Sequence, residues 1–480
     1  MSGMTIALLG FAGMLALIAI RMPIALAMLV IGAAGYAYLN GPSALFYYLQ
    51  TNSYRQFASY TLSVIPLFIL MGALAERSGM ASTLFQAAER QLGRTRGGLP
   101  MAVILACSGF GAICGSSVAT TATFGRAAMP ELRRAGVDPG LATGTIAAGG
   151  TLGILIPPSV ILVIYAITAE QNIAKLFQAA LIPGILASIF YCLAIAFVVR
   201  RRPELAPPIV DREIERLPQP GWAMPLGGLL IPLAALGWYL GYLGNVAALL
   251  TGLVALLLLF ADFALVPAAA VAIIVVGGIY GGVFTPTEGA AVGVIVMLAF
   301  GLAQRRLNRR NMIEALCQTA ETSGMIFLIL FGAEVFGAFL ALTRMPATLA
   351  SLIGDSNLAP YLVLTGILLT YIVLGAVMDE LAMILLTLPV FMPIVLALDF
   401  GMSAEDVAIW FGILVLVVVG IGLAAPPIGL NVFIINKIAG DVPITSTYRG
   451  VVPFVIADLV RLVLLAAAPA LSLWLVHLLN

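Results

Sequence analysis

Apolar residues run along this chain in long, nearly uninterrupted stretches. The strands of a membrane β-barrel alternate polar and apolar residues over about ten positions, so this pattern indicates helices instead. The stretches cover residues 5–40, 58–75, 100–130, 140–167, 176–199, 223–261, 264–303, 321–342, 358–398, 405–436 and 450–478. A membrane-spanning helix needs about 20 apolar residues, which leaves room for on the order of ten to fourteen crossings. We therefore predict an all-α polytopic membrane protein.

The charged residues are too few to cover a water-soluble protein of this size. They form 9% of the 480 residues, whereas 62% of the residues are hydrophobic and the mean hydropathy is +1.11. Ordinary globular domains carry about 25% charged residues. This composition excludes nucleic-acid binding and a secreted disulfide scaffold. The sequence also lacks the GxSxG and GxxxxGK motifs and any cluster of His and Cys, so we do not expect an enzyme.

Arginine clusters predict the orientation of the helices. They lie at residues 90–96, 133–134, 200–216 and 305–310. Basic residues next to membrane spans favour the cytoplasmic side, so an even number of crossings should separate each cluster from the next. Residues 140–167 and 176–199 supply two such crossings, and residues 223–303 are long enough for four.

Residues 100–130 cannot be a simple span under this rule. They lie between the first two basic clusters, and one crossing would place Arg133 and Arg134 outside. The segment is also rich in Gly, Ser and Thr. We predict a re-entrant hairpin of two half-helices that meet near residues 115–117, where protein or a wet cavity must surround the irregular backbone. A single Gly-rich full span is the alternative.

A GxxxPP motif occurs twice, at residues 153–158 and 422–427, each time midway along an apolar stretch. A proline pair removes two backbone donors, so we expect both helices to be broken there. A second hairpin at 358–398 precedes the second motif, as the first hairpin precedes the first. Counting crossings places this second hairpin on the opposite side of the membrane. The order predicts two inverted repeats, which is typical of secondary transporters.

These features divide the chain into predicted regions. Transport repeat 1 contains a hairpin at about 100–132 and a broken helix at about 140–167. Transport repeat 2 contains a hairpin at about 358–398 and a broken helix at about 405–436. The regions are N-terminal scaffold helices 1–97, transport repeat 1 at 98–199, a basic cytoplasmic linker 200–221, scaffold helices 222–304, a scaffold or arm helix with its loop 305–357, and transport repeat 2 at 358–480.

Half-helices that end inside a membrane offer two kinds of binding group. Carbonyls at their C-terminal ends, together with hydroxyls, suit Na⁺, and their N-terminal N–H groups favour carboxylates. The first predicted site has 151–158 on the broken helix and, at the hairpin tip, Gly115, Ser116, Ser117, Thr120 and Thr121. The second has 420–427 and Asn431 opposite a tip formed by Met378, Asp379 and Glu380.

Several of these side chains have a second interpretation. Ser and Thr hydroxyls in membrane helices often bond back to the backbone. Asp379 could coordinate a cation or cap the following half-helix, and Glu288 fits first a capping arrangement at a helix start. Arg126 could face an anionic substrate, snorkel, or pair with a carboxylate. His477 is the sole histidine, and without a proton relay Na⁺ is the expected coupling ion, although Asp379 alone could carry a proton.

Four motifs resemble one known family, the large membrane subunit of tripartite ATP-independent periplasmic (TRAP) transporters. They are GFGAICGSSVAT (109–120), AAGGTLGILIPPS (147–159), GIYGGVFTPTE (278–288) and PPIGLN (426–431). The resemblance implies an elevator-type permease for Na⁺-coupled uptake of an organic acid anion, such as a C4-dicarboxylate or sialic acid. It also implies a bacterial inner-membrane location, a small four-helix membrane subunit and a periplasmic substrate-binding protein as partners, and no organic cofactor.

The resemblance also implies site residues on this chain. The first Na⁺ site takes Ser116, Ser117, Gly153 and Pro157, and the second takes Met378, Asp379, Gly422 and Ala425. We assign to the substrate Gly115, Thr120, Thr151, Pro158, Arg126, Pro427 and Asn431.

One segment departs from the family pattern, because residues 222–261 add enough for about two further spans. An even number of extra spans leaves the orientation of everything downstream unchanged. Two alternatives remain at this point: a stand-alone transporter of similar broken-helix design that needs no binding protein, and a structural or receptor protein that transports nothing.

Overall fold

A computed structural model of the chain describes residues 2–93, 95–207, 251, 270–355 and 358–479. Every regular element in these residues is helical, which confirms the predicted all-helical fold. The predicted extra spans at 222–261 lie outside the described residues, apart from residue 251.

The first part of the chain forms helices that match its apolar stretches. They are α1 (Gly3–Ala19), α2 (Ile24–Asn40), α3 (Pro42–Phe57), α4 (Val64–Arg77), α5 (Met80–Leu92), α6 (Gly98–Cys114), α7 (Ser117–Arg134), α8 (Pro139–Leu155), α9 (Val160–Thr168) and α10 (Ile173–Arg201).

The second part continues with a similar series. Its helices are α11 (Ala270–Tyr280), α12 (Pro286–Ala303), α13 (Arg309–Thr343), α14 (Met345–Asp355), α15 (Pro360–Gly375), α16 (Glu380–Leu396), α17 (Ala404–Ala424), α18 (Leu430–Ala439), α19 (Ile444–Ala467) and α20 (Ala470–Leu479).

Six helical segments of the described part are long and apolar enough to cross a membrane. They are Tyr60–Arg77, Ile173–Arg201, Pro286–Ala303, Arg309–Thr343, Ala404–Ala424 and Ile444–Ala467. A seventh is the pair α8 and α9, if its two halves are one span bent by 44°. Several shorter apolar helices accompany them, among them α6, α15 and α16. The fold is thus that of a polytopic membrane protein.

The first helical hairpin consists of α6 and α7, which pack against each other. Gly115 ends α6 in the left-handed region with φ +63°, a conformation that favours glycine. Ser116 then begins α7 as its N-cap, and its side chain accepts a hydrogen bond from the N–H of Ala119. The sequence prediction of a break near 115–117 is therefore confirmed.

The second helical hairpin consists of α15 and α16. α15 ends at Gly375, and Asp379 caps the start of α16 with its carboxylate. The break thus lies at 376–379 and includes Met378 and Asp379 of the predicted tip. Prolines 389 and 393 lie inside α16, yet the helix continues through both.

Both GxxxPP motifs break a helix, as predicted. α8 ends at Leu155 and α9 begins at Val160, whereas α17 ends at Ala424 and α18 begins at Leu430. Each proline pair is joined by a cis peptide bond. We name α8 with α9 broken helix 1, and α17 with α18 broken helix 2.

The long half of broken helix 2 lies at the centre of the structure. Every residue of α17 from Val407 to Ala424 is buried, although its sequence is as apolar as that of a lipid-facing span. It packs against both arms of the second hairpin and against α8, α10 and α19. The unwound backbone beyond α17 therefore starts within protein, which is the setting that irregular backbone in a membrane requires.

Candidate ion and substrate site

The GxxxPP spacing frees specific backbone carbonyls. In a continuing helix, the N–H groups of residues 157 and 158 would bond the carbonyls of Gly153 and Ile154, but both donors are prolines. The last helical bond of α8 joins the Ile156 N–H to the Leu152 carbonyl at 3.0 Å. In the described chain, no backbone N–H bonds the carbonyls of residues 153–155.

Broken helix 2 ends in the same way. Its last helical bond joins the Ala425 N–H to the Ile421 carbonyl at 2.8 Å, and the prolines at 426 and 427 again supply no donor. The carbonyls of residues 422–424 have no backbone N–H partner in the described chain. The two motifs thus present matching sets of free oxygens, which are the ligands that a hard cation prefers.

Each hairpin packs against its broken helix through a pair of glycines. A Cβ added to Gly111 would lie 2.9 Å from the Cα of Gly153. A Cβ added to Gly422 would lie 2.6 Å from the carbonyl carbon of Gly375. Both contacts leave no room for a side chain, so glycine is required at both junctions. We name the first contact junction 1 and the second junction 2.

Junction 1 brings the predicted tip residues to the break in broken helix 1. A Cβ on Gly115 would lie 2.9 Å from the carbonyl oxygen of Pro158, and one on Gly153 would lie 2.7 Å from that of Ser116. Thr120 donates its hydroxyl to the same Ser116 carbonyl at 2.7 Å. The structure therefore places together Gly115, Ser116, Thr120, Gly153, Pro157 and Pro158.

Asn431 lies at junction 1, and the prediction that it lies opposite the second hairpin tip is wrong. Its amide nitrogen donates to the Ser117 hydroxyl at 2.7 Å and to the Ala147 carbonyl at 3.1 Å. Asn431, Ser117 and Ala147 are all buried, because α18 packs against α7 and α8. The sequence placed Asn431 beside its neighbours in the chain, whereas the break inside broken helix 2 allows α18 to carry it to the first hairpin.

One hydroxyl at junction 1 has no protein partner. Thr121 is fully buried, and its Oγ1 makes no hydrogen bond in the described chain. This oxygen faces Gly150 on α8, whose own neighbourhood includes the Asn431 amide nitrogen. A buried hydroxyl without a partner costs about 1–3 kcal/mol, so this oxygen is a candidate ligand for an ion at junction 1.

Junction 2 carries carboxylates instead of hydroxyls. Asp379 Oδ1 accepts from the N–H groups of Leu381 and Ala382 at 3.0 and 3.2 Å, so the capping interpretation of this residue is confirmed. The second oxygen of Asp379 has no protein partner among the described residues. Glu380 Oε2 is buried and also without a partner there. Met378 lies half-buried on the tip, and Ala425 caps the end of α17.

Thr151 belongs to a buried network that the sequence analysis missed. Its hydroxyl lies 3.0 Å from that of Tyr191, and Tyr191 donates to Asp458 Oδ2 at 2.6 Å. Asp458 in turn pairs with Arg461 at 2.7 Å, and both side chains are 3% exposed. The sequence did contain a signal for this network, namely an Asp and an Arg three residues apart inside the apolar stretch 450–478. The network ties broken helix 1 to α10 and α19.

Two other predicted residues lie away from the junctions. Arg126 pairs with Glu76 on α4 at 2.7 Å, which is the carboxylate alternative for this side chain. Glu288 completes a capping box with Thr285 at the start of α12, which is the first of its two interpretations.

Pro427 lies in the second break, where its carbonyl accepts a hydrogen bond from the Tyr448 hydroxyl at 2.8 Å.

Two helical hairpins packed against two proline-broken helices define a polytopic membrane protein of the class that includes secondary transporters. The chain belongs to the DctM component family of tripartite ATP-independent periplasmic transporters, whose model matches residues 11–471. The resemblance noted in the sequence is thereby confirmed.

Relatives with assigned substrates cover most of the chain. It is 32% identical over 415 residues to the C4-dicarboxylate TRAP transporter large permease protein DctM of Pseudomonas aeruginosa, with 86% of each chain covered. It is 28% identical to the sialic acid TRAP transporter large permease protein SiaM of Vibrio cholerae, again with 86% of each covered. An isethionate TRAP transporter permease protein, DctMQ of Oleidesulfovibrio alaskensis, is 26% identical, and this chain spans 60% of its length.

A solved transporter shares the fold. The crystal structure of the Alcanivorax borkumensis YdaH transporter aligns with a TM-score of 0.59 and 17% identity, covering 96% of this chain and 98% of that one. At this identity, the likeness concerns the architecture alone. The three relatives named above are transporter permeases and not enzymes.

Proposed function

We propose that this protein is the large permease of a tripartite system that takes up an organic acid anion, such as a C4-dicarboxylate or sialic acid, together with Na⁺. The observation that carries the proposal is the pair of junctions, each of which sets carbonyls freed by GxxxPP against a hairpin tip. Relatives whose names specify C4-dicarboxylate and sialic acid support a carboxylate substrate. The bacterial inner membrane is the corresponding location.

The two junctions suit a cation and an anion at once. Free carbonyls at the ends of α8 and α17, with the hydroxyl of Thr121 and the free oxygen of Asp379, would coordinate Na⁺. The N-termini of α7, α9, α16 and α18 begin at the same breaks, and their N–H groups favour a carboxylate. Bound Na⁺ would offset the charge of Asp379 and so strengthen binding of the anion. Substrate and ion binding would be coupled in this way.

The proposal includes two partners. One is a small four-helix membrane subunit, and the other is a soluble periplasmic protein that delivers the substrate. The relative named DctMQ is longer than this chain, which spans 60% of its length. The additional length of DctMQ is consistent with a second membrane subunit that would be a separate protein in the system of this chain.

Uptake of labelled C4-dicarboxylate or sialic acid into proteoliposomes tests this function. The full-length chain with its small subunit should take up label only with an inward Na⁺ gradient and a loaded binding protein from the same organism. Uptake that needs Na⁺ but no binding protein would favour the stand-alone transporter. The absence of Na⁺-dependent uptake under every condition would overturn the proposal.

We further propose an elevator movement, in which the transport repeats slide past the scaffold helices. The Arg126–Glu76 pair joins α7 of transport repeat 1 to α4 of the predicted scaffold. An elevator movement must separate these two side chains. Because an exposed ion pair of this kind contributes only about 0–1 kcal/mol, it would not oppose the movement strongly.

Cross-linking this pair is expected to stop uptake. A cleavable bismaleimide would join Glu76→Cys to Arg126→Cys in a chain whose exposed Cys317 is replaced by serine. The matched control is Arg133→Cys with Asp441→Cys, an ion pair in which both partners lie within the predicted transport repeats. Uptake should survive cross-linking in the control and return in the test pair when the linker is cleaved. Full uptake with residues 76 and 126 cross-linked would contradict the elevator mechanism.

A further inference from the structure

A basic groove lies where α10 ends and α19 begins, away from both junctions. It is a cavity of about 400 Å³. Its charged lining consists of Arg201, Arg202, Arg449 and Asp138, and its apolar lining includes Phe197 and Pro453. Neither the ion sites nor the proposed transport mechanism uses these residues.

The three guanidinium groups of the groove are available to an anion. Each arginine is exposed, and in the described part of the chain none of them pairs with a carboxylate. Asp138 is the one carboxylate in the lining, and its Oδ1 is already bonded to the Leu141 N–H at the start of α8. The charged groups therefore leave an excess of positive charge. Arginine binds phosphate oxygens in a bidentate manner, so the lining suits a phosphate group.

The backbone around the groove is held in place. The Arg202 N–H bonds the Val198 carbonyl at 2.9 Å, and the Asp138 N–H bonds the Leu205 carbonyl at 2.8 Å. The Arg201 guanidinium lies over the Phe197 ring, 4.4 Å from its centroid. This contact sets a cation directly above an exposed apolar ring.

Two apolar stripes run from the groove along the helices. The stripe on α10 consists of exposed side chains spaced every four residues, at Ile185, Ile189, Leu193 and Phe197. That on α19 consists of Val452, Ile456, Val460 and Val463. The first stripe ends inside the groove at Phe197, and the second starts next to Pro453 of its lining. A ligand that fills the groove and covers both stripes needs an anionic head and long apolar chains.

We infer that this groove binds an anionic phospholipid, with its phosphate between Arg201, Arg202 and Arg449 and its acyl chains along α10 and α19. The positive-inside rule places α10's basic end in the cytoplasm, which is the leaflet where such a lipid would insert. Basic pockets between helices on this side of a membrane are a recognised setting for anionic headgroups. A free phosphate shares the headgroup chemistry but leaves the apolar stripes uncovered.

Native mass spectrometry and thermal melting of the full-length chain in detergent test this inference. The probes are phosphatidylglycerol, phosphatidylcholine and inorganic phosphate, each added at equal concentration. We expect phosphatidylglycerol to be retained most strongly and to raise the melting temperature most. Each basic residue at an anionic membrane surface strengthens binding about fivefold, so Arg201→Gln with Arg449→Gln should weaken retention by roughly 10- to 30-fold.

The matched control removes two arginines outside the groove, Arg200→Gln and Arg309→Gln, and should keep the lipid preference. Equal protection by inorganic phosphate, or no preference for phosphatidylglycerol over phosphatidylcholine, would overturn the inference. Equal loss in the control variant would do so as well. A photoreactive amino acid at Phe197 should cross-link to lipid in native membranes, and cross-linking only to protein would show that a polypeptide covers the groove instead.

Discussion

Replacing Gly153 with valine is expected to abolish Na⁺-dependent uptake. A Cβ at this position would lie 2.7 Å from both the Ser116 carbonyl oxygen and Thr120 Oγ1, which is closer than Cβ atoms approach in real structures. Overpacking of this kind costs about 1–3 kcal/mol and would push the hairpin tip away from the break. The carbonyl of Gly153 would then no longer face the tip that completes its site. Uptake into proteoliposomes is the measurement.

Gly366 provides the matched control for this substitution. It lies within α15, and nothing stands within 4 Å of a Cβ added there, so Gly366→Val should transport at the wild-type rate. Gly422→Val should resemble Gly153→Val, because its Cβ would meet the backbone of Gly375. Gly153→Ala keeps the test informative if the valine variant does not fold. Normal uptake by a folded Gly153→Val protein would show that junction 1 is not part of the transport site.

Breaking the buried ion pair is expected to cause the largest loss of stability. In the described part of the chain, Asp458→Leu leaves the buried Arg461 guanidinium with one long contact, 3.4 Å to the Pro183 carbonyl. Removing one partner of a buried pair costs roughly 3–5 kcal/mol, because the remaining charge is not compensated. It also frees the Tyr191 hydroxyl, which holds Thr151 beside the first break. Thermal melting monitored by size-exclusion chromatography measures the effect.

The reverse and double substitutions separate charge from packing. Arg461→Leu should cost less, because Asp458 still accepts a hydrogen bond from the Tyr191 hydroxyl. The double substitution Asp458→Leu with Arg461→Leu should recover most of the loss, since replacing a buried pair by apolar residues is often neutral or stabilising. Additive losses in the double variant would contradict a pairwise origin, and Tyr191→Phe would then identify how much the hydroxyl contributes.

The breaks in the helices could be predicted because their causes are local. Pro157 and Pro158 lack the N–H groups that a helix needs, whatever surrounds them. Gly115 followed by Ser116 ends one helix and starts another by the same kind of local chemistry. The basic residues at 133–134 added a further constraint, because they require residues 100–130 to begin and end on the same side of the membrane. This requirement indicated the first hairpin.

The contacts between elements could not be predicted in the same way. Asn431 lies in α18 of broken helix 2, but its bonds to Ser117 and Ala147 depend on how three helices cross. The link from Thr151 through Tyr191 to Asp458 likewise joins three helices. The sequence identified the helices that carry these side chains, whereas their partners depend on tertiary packing.

The most direct test of the central claim, that Na⁺ binds at the junctions, is the dependence of thermal melting on Na⁺. The melting temperature of the full-length chain should rise with NaCl and not with KCl at equal ionic strength. Thr121→Val should reduce this rise, yet without Na⁺ it should melt no lower than the wild type, because the lost hydroxyl has no partner among the described residues. Thr447→Val should keep the full rise, although it removes another buried hydroxyl, at the start of α19, that has no partner in the part of the chain that the structure describes. Identical melting in NaCl and KCl, or an undiminished rise in Thr121→Val, would contradict the account.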